Sequence, residues 1–303
     1  MHSAPWFSGF EAADFHVNGT RLHVRTGGRA DAPPLLLLHG YPQTHVMWHR
    51  VAQRLAPHFR LVLPDLRGYG HSDKPHGAPD HANYSKRTMA ADLAELMRAL
   101  GHERYGVVGH DRGGRVAHRL ALDHAGAVAR LCLIDIAPTL DMYEATDMRF
   151  ASAYYHWFFL IQPAPRPEQM IGADPVGYLH WKLGGWGAGT MGHVEPEALA
   201  EYVACFRQPQ TIHATCEDYR ASAGVDLDHD RASRAAGQKI GCELLLLWGQ
   251  RGVVHALFDP MALWRAQCAD GVELLGEALP SGHFIPEELP EATAQKLLHF
   301  FQR

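Results

Sequence analysis

Apolar residues along this chain gather in short unbroken runs, and each run stops at glycine, proline or a charged loop. The first is Pro33-Pro34-Leu35-Leu36-Leu37-Leu38-His39-Gly40-Tyr41-Pro42. The pattern recurs at Arg60-Leu61-Val62-Leu63-Pro64-Asp65, Tyr105-Gly106-Val107-Val108-Gly109, Leu131-Cys132-Leu133-Ile134-Asp135 and Glu243-Leu244-Leu245-Leu246-Leu247-Trp248-Gly249. A strand covered on both faces has no polar side to alternate with, so these runs predict buried strands of a parallel sheet. Between them, Ser85 to Leu100 sets Met89, Leu93, Leu96, Met97 and Leu100 at helical spacing, with Ser85 placed to cap the helix. Strand and helix alternate, which predicts a doubly wound, mostly parallel α/β sheet.

The alternation stops after Asp135 and resumes only at Cys242, and the residues between are rich in aromatics, proline and helix-like spacing. This predicts an inserted helical cap, with a first core part at 1–139, the cap at 140–238 and a second core part at 239–303. In open α/β sheets ligands bind beyond the carboxyl ends of the strands, where an inserted lobe would roof the site.

Composition narrows the class. The 303 residues, 47% of them hydrophobic and 20% charged, suit one large folded core with a lobe. A formal charge of −5 provides no footprint for nucleic acid or for an anionic membrane. The segment Met1 to Trp6 lacks the basic and apolar regions of a signal peptide, and no run approaches the ~20 apolar residues of a membrane span. The expected location is cytoplasmic. Cys132, Cys205, Cys216, Cys242 and Cys268 are odd in number and form no C-x-x-C pair, so they read as reduced thiols.

The chemistry concentrates at Gly109-His110-Asp111-Arg112-Gly113-Gly114, between an apolar run and the helical pattern of Val116 and Leu120. This is the strand–turn–helix setting of a nucleophile elbow, with aspartate where a serine often stands. Small residues are needed at Gly109 and Gly113 because the turn is tight. A carboxylate attacking a saturated carbon leaves an ester on the enzyme. Alone, the motif is equally a glycine-rich loop with Asp111 as a cap, so the partners decide. Hydrolysing an ester needs a base and a group to orient it. His283, in Pro280-Ser281-Gly282-His283-Phe284-Ile285-Pro286, follows the strand-like run Val272 to Leu275 and precedes a final helix from about Pro290. It is the base candidate among 22 histidines. Asp135, at the end of the strand after the nucleophile strand, can fix the His283 tautomer, although a turn or cap role suits it too. The loop His39-Gly40-Tyr41-Pro42 can aim the Tyr41 N–H at an oxyanion beside that of Arg112; proline has no N–H to give.

Taken with His39 to Arg50, Tyr155-His156-Trp157, Glu217-Asp218-Tyr219-Arg220 and Ser281-Gly282-His283-Phe284, these segments closely resemble the α/β-hydrolase dehalogenases that act on fluoroacetate and other haloacetates. The likeness runs nearly end to end. It implies the α/β-hydrolase fold, with Asp111 as nucleophile, His283 as base and Asp135 as its partner. Epoxide hydrolases and haloalkane dehalogenases resemble one another in placing tryptophan after the nucleophile, where this chain has Arg112. Arg112 and Arg115, one turn apart, can grip a substrate carboxylate with forked donors. They could also be ordinary helix salt bridges, the reading preferred for Arg119 and Arg130; the resemblance favours the substrate for the first pair. It further implies a halide cradle of His156, Trp157 and Tyr219, although the run Tyr154 to Phe159 by itself reads as the packed face of a cap helix. Trp186 resembles a pocket-wall residue, and the family likeness implies a homodimer.

Two other patterns carry no site. Gly187-Ala188-Gly189-Thr190-Met191-Gly192 spells G-x-G-x-x-G but follows no strand-like run. His110-Asp111 and Asp228-His229-Asp230 lack the spacing of metal ligands. The expected reaction takes a small haloacid and water to a 2-hydroxy acid with neither metal nor cofactor. The alternatives are an epoxide hydrolase, with Tyr154 or Tyr219 protonating the opened ring, and a catalytically silent binding module on the same fold.

Overall fold

The computed structural model describes residues 5–186 and 189–303. Eight strands form one sheet: β1 (Glu11–Val17), β2 (Thr20–Gly28), β3 (Pro34–Leu38), β4 (Arg60–Pro64), β5 (Tyr105–His110), β6 (Val128–Ile134), β7 (Glu243–Gly249) and β8 (Leu274–Leu279). Their spatial order is β1-β2-β4-β3-β5-β6-β7-β8. From β4 to β8 every neighbouring pair is parallel; β1 and β2 form an antiparallel hairpin whose second strand pairs antiparallel with β4. The five apolar runs are β3 to β7, and β5 is buried at all six positions. The β1–β2 hairpin was not among the expected strands. β1 is exposed along most of its length, whereas β2 alternates, with Leu22 and Val24 inward between Arg21, His23 and Arg25. The last strand begins two residues later than the run Val272 to Leu275 and continues to Leu279.

The helix Lys86–Ala99 begins at Ser85, whose side chain accepts from the Thr88 N–H, and packs against the helix Asp111–Asp123. The helix His49–Leu55 packs against the C-terminal helix Pro290–Phe301. Between β6 and β7 the described residues contain helices and no strand, from Thr139–Glu144 to Val225–Ala235. Three of these helices open on Pro175, Pro196 and Pro209, where the missing N–H costs nothing because the first-turn donors have no helical partner. The helical cap thus lies between two neighbouring parallel strands and closes over their carboxyl ends. After β3 the chain runs to β4 on one side, and β5 then lies on the other side of β3, so the loops after β3 and β5 flank a switch point of the sheet.

No described helix is long and apolar enough to cross a membrane. The five cysteines are free thiols. The G-x-G-x-x-G stretch includes Gly187 and Ala188, which lie outside the described residues, as do Met1 to Ala4.

Candidate active site

Loops after four strands converge on Asp111. It begins the helix Asp111–Asp123 directly after β5, with a backbone φ of +48°. Left-handed backbone is costly for a residue with a Cβ, and here it lifts the carboxylate out of the sheet. The neighbouring glycines are sterically required: a Cβ on Gly109 would stand 2.5 Å from the Gly113 carbonyl oxygen, and one on Gly113 would stand 2.3 Å from the His39 oxygen. The Tyr41 N–H, in the loop after β3, donates to Asp111 Oδ1 at 2.9 Å. A Cβ on Gly40 would come within 2.5 Å of the Asp111 Cβ, so that loop can lie against the nucleophile only with glycine there.

His283 follows β8. Its Nδ1 lies 2.6 Å from Asp135 Oδ2, and its Nε2 faces Asp111 Oδ2 at 3.9 Å. With Asp135 accepting from Nδ1–H, the free lone pair is on Nε2, which has no protein hydrogen-bond partner among the described residues. Asp135, after β6, also has positive φ, +52°, and its other oxygen accepts from the Gly249 N–H at 3.0 Å. The base loop is pinned through its backbone: His110 Nε2 donates to the His283 carbonyl at 2.8 Å, and the His283 N–H donates to the Trp186 carbonyl at 2.9 Å.

Burial opposes the charge on Asp111, but His283, His110, Arg112 and Arg115 outweigh it and hold the carboxyl below its ordinary range. Burial likewise disfavours the His283 imidazolium, yet the Asp135 hydrogen bond and the charges of Asp135 and Asp111 raise its pKa above the usual histidine value. Asp111 is therefore ionised over a wide pH range, and the His283 ring needs a pH above the ordinary histidine value to be neutral.

The two arginines differ more than their spacing implies. Arg112 is held by Asp218 in the cap helix Pro209–Ala223: Nε donates to Oδ2 at 2.9 Å and Nη2 to Oδ1 at 2.8 Å, with Ser222 Oγ also accepting from Nη2. Its guanidinium lies 4.2 Å from the Tyr219 ring centre, and among the described residues only Nη1 is left without a partner. Asp218 also binds the Lys86 ammonium and accepts from the Tyr69 hydroxyl at 2.6 Å. Arg115 has no carboxylate within ion-pair distance among the described residues. Its Nη1 donates to the Ala137 carbonyl and to Thr139 Oγ1, Nη2 reaches the Met142 sulfur, and Nε has no partner among the described residues, with the guanidinium 4.6 Å from the Trp157 ring centre. Burial and the neighbouring Arg112 lower its pKa. Arg119 and Arg130 form ion pairs, with Asp230 and Asp123 and with Glu243, as expected.

His156, Trp157 and Tyr219 are all buried in the cap beside this centre. The His156 ring stacks parallel to Tyr41 at 6.3 Å and stands 5.5 Å from Tyr219; burial drives its pKa far below the usual value, so the ring is neutral. His156 Nδ1 and the Tyr219 hydroxyl are buried polar atoms without protein partners among the described residues. Trp186 packs 4.4 Å from His156 and 5.5 Å from His283. Tyr154 stacks on Trp157 at 5.7 Å. The sequence reading missed Asp218 as the counter-charge of Arg112, although it lies in the quoted Glu217-Asp218-Tyr219-Arg220 segment; four polar residues in a row on a buried helix were the available signal.

A second buried carboxyl braces the site. Glu287, four residues beyond the base, is bonded to Gln43 at 2.5 Å and accepts from the Tyr202 hydroxyl at 2.9 Å, joining the oxyanion loop, the base loop and the cap helix Pro196–Phe206. Burial pushes its pKa up to about 8. Residue groups of metal-ligand type occur elsewhere, at His71, Glu201 and Cys205 and at Glu168, His213 and Glu217. In the latter, Arg220 already pairs with both glutamates.

Residues 33–288 match the α/β hydrolase fold family model. The chain is 46% identical to a fluoroacetate dehalogenase of Burkholderia sp., covering 97% of this chain and 94% of that one. It is 34% identical to a soluble epoxide hydrolase of Corynebacterium sp. (strain C12), over 94% and 95% of the two chains. A crystal structure of a protein from Nostoc sp. PCC 7120, named as an α/β hydrolase, superposes with a TM-score of 0.94 at 52% identity, covering 98% of this chain and 99% of that one.

Proposed function

The chain belongs to the α/β-hydrolase-fold family, and within it we propose that this enzyme hydrolyses the carbon–halogen bond of a small 2-haloacid, a haloacetate such as fluoroacetate, through an ester on Asp111. The observation that carries the reading is Arg115, a buried guanidinium that pairs with no carboxylate among the described residues, one helical turn from an ionised aspartate. A substrate carboxylate supplies the missing charge.

Arg115 and the unpartnered Nη1 of Arg112 hold that carboxylate. Tyr41 occupies Asp111 Oδ1, so Oδ2 attacks the α-carbon, and the halide leaves with the bonding electrons towards His156, Trp157 and Tyr219. Fluoride is strongly hydrated, so neutral buried donors must replace the water it loses. His283 then takes a proton from water, and the resulting hydroxide adds to the Asp111 carboxyl carbon. The N–H groups of Tyr41 and Arg112 stabilise the oxyanion, while Asp135 orients His283 and balances its charge. Collapse returns the proton to the departing alkoxide and frees the 2-hydroxy acid; net, water and the haloacid become hydroxy acid, halide and a proton.

The test is fluoride and chloride release from fluoroacetate and chloroacetate by wild type and Arg115→Met, since Arg115, unlike Arg112, shares no ion pair with the cap. Release that disappears in the variant supports the reading, and no release of either halide from wild type refutes it. A second reading has its own support: Tyr154 and Tyr219 are buried phenols whose pKa values are raised by burial and by the Asp111 charge, so both stay protonated and could donate to an epoxide oxygen. Diol formation from an epoxide without halide release would favour it.

A further inference from the structure

Beyond the reacting centre, Trp186 also packs against a lysine ammonium. Lys182, in the cap helix Pro175–Gly185, is buried, yet among the described residues its ammonium meets no carboxylate and no hydrogen-bond acceptor. Four aromatic rings face it instead: Tyr155 at 3.8 Å from Nζ to the ring centre, Trp186 at 4.7 Å, Trp181 at 4.9 Å and Tyr178 at 5.4 Å. Ring faces recover part of the lost hydration of an ammonium but leave its three donors unused. Burial alone brings the Lys182 pKa down to about 7.

This lysine lines a cavity of about 170 Å³ with Ser152, Ala153, Tyr155, Trp181 and Trp186. At roughly 30 Å³ per water, that is room for about six, enough to admit a small haloacid. Trp181 is 59% exposed, so the aromatic cluster reaches solvent on one side. On the other, Trp186 stands between Lys182 and His156, whose protonation Lys182 disfavours.

We propose that Lys182 and its aromatic cage form an outer binding site for a small carboxylate, occupied by the substrate before it passes to Arg115. As an inbound station the site rests on the haloacid reading; as a carboxylate site it can be tested without turnover. An aromatic-lined cavity with one unpaired ammonium selects a small monoanion: the charge is matched once, and the rings leave little room for hydrated or branched ions.

The probe is sodium acetate, which carries the carboxylate and no leaving group, titrated at fixed ionic strength against tryptophan fluorescence. Wild type should give a saturable change. Lys182→Met, which keeps the stem in the cage, should weaken it about tenfold or more, corresponding to one charge-assisted contact. Lys182→Arg and Arg115→Met should retain it. Where Lys182→Met fails to fold by circular dichroism, Lys182→Gln is read the same way. No saturable change in wild type, a response to chloride but not acetate, or a response lost in Arg115→Met and kept in Lys182→Met each overturns the outer site. With haloacetate, Lys182→Met should raise KM far more than it lowers kcat; a loss confined to kcat overturns the station. Acetate binding that depends on Lys182 together with no halide release would refute the haloacid reading and leave the carboxylate site standing.

Discussion

Arg115→Met separates what the site needs for chemistry from what the fold needs for stability. In the proposed complex the substrate carboxylate loses its charge-assisted donor, worth about 3 kcal/mol, or roughly a hundredfold in kcat/KM. On the stability side, methionine removes the bonds to Ala137 and Thr139 and the contact over Trp157. Those losses sum to about 3 kcal/mol. Against them stands relief from burying a guanidinium without a carboxylate, also a few kcal/mol. The two nearly cancel, so Tm should move by no more than about 3 °C. Asp218→Ala is the contrast, because it leaves Arg112 and Lys86 buried without their shared partner. Removing one member of a buried ion pair costs about 3–5 kcal/mol, which lowers Tm by roughly 5–8 °C in a chain of this size. Halide release and calorimetric melting of both variants check this. An Arg115→Met enzyme within about threefold of wild type in kcat/KM, or one melting as early as Asp218→Ala, refutes the argument that Arg115 is an uncompensated charge kept for substrate.

The other predictions follow from the same geometry. Asp111→Asn should fold, since the amide oxygen can still accept from the Tyr41 N–H, and should release no halide in a fluoride-electrode assay. His283→Asn should release one equivalent of halide and stop, with mass spectrometry locating the ester on Asp111; halide release with no adduct would refute the assignment. The raised pKa of His283 and the lowered pKa of Asp111 place the acid limb on ester hydrolysis. As pH falls through the His283 value, steady-state turnover should drop while the halide burst remains, and a burst that falls in parallel contradicts this. Glu287 keeps its proton in the native state up to about pH 8, whereas the unfolded chain releases it near the ordinary value of 4.5. Across that window the native state binds the extra proton, so stability declines as pH rises. Glu287→Gln should flatten the decline in urea unfolding at pH 5 and pH 8.

The buried strands were legible because their apolar runs admit one environment, and the turn at Asp111 because both glycines are forced by contacts under 3 Å. The hairpin β1–β2 was not, since β1 is a solvent-facing edge with no apolar stripe. His283 and Asp135 could be placed at strand ends from the chain alone, but their 2.6 Å contact spans 148 residues of sequence and no local pattern encodes it. The same distance in sequence hid the roles of the arginines. Arg112 and Arg115 read alike on the helix, and only the arrival of Asp218 from the cap makes one neutralised and the other unpaired. Lys182 looked like one more cap residue because a cage of rings from several elements has no linear signature.

Both acids of the proposed centre, Asp111 and Asp135, are built on left-handed backbone, which glycine adopts freely and a residue with a Cβ adopts at some cost. Replacing either with glycine would relax the backbone at that residue while removing the proposed chemistry. A screen that ranks variants of this enzyme on heat resistance alone will therefore reward changes at these two positions, and thermostable hits from such a selection should be sequenced at 111 and 135 before anything else.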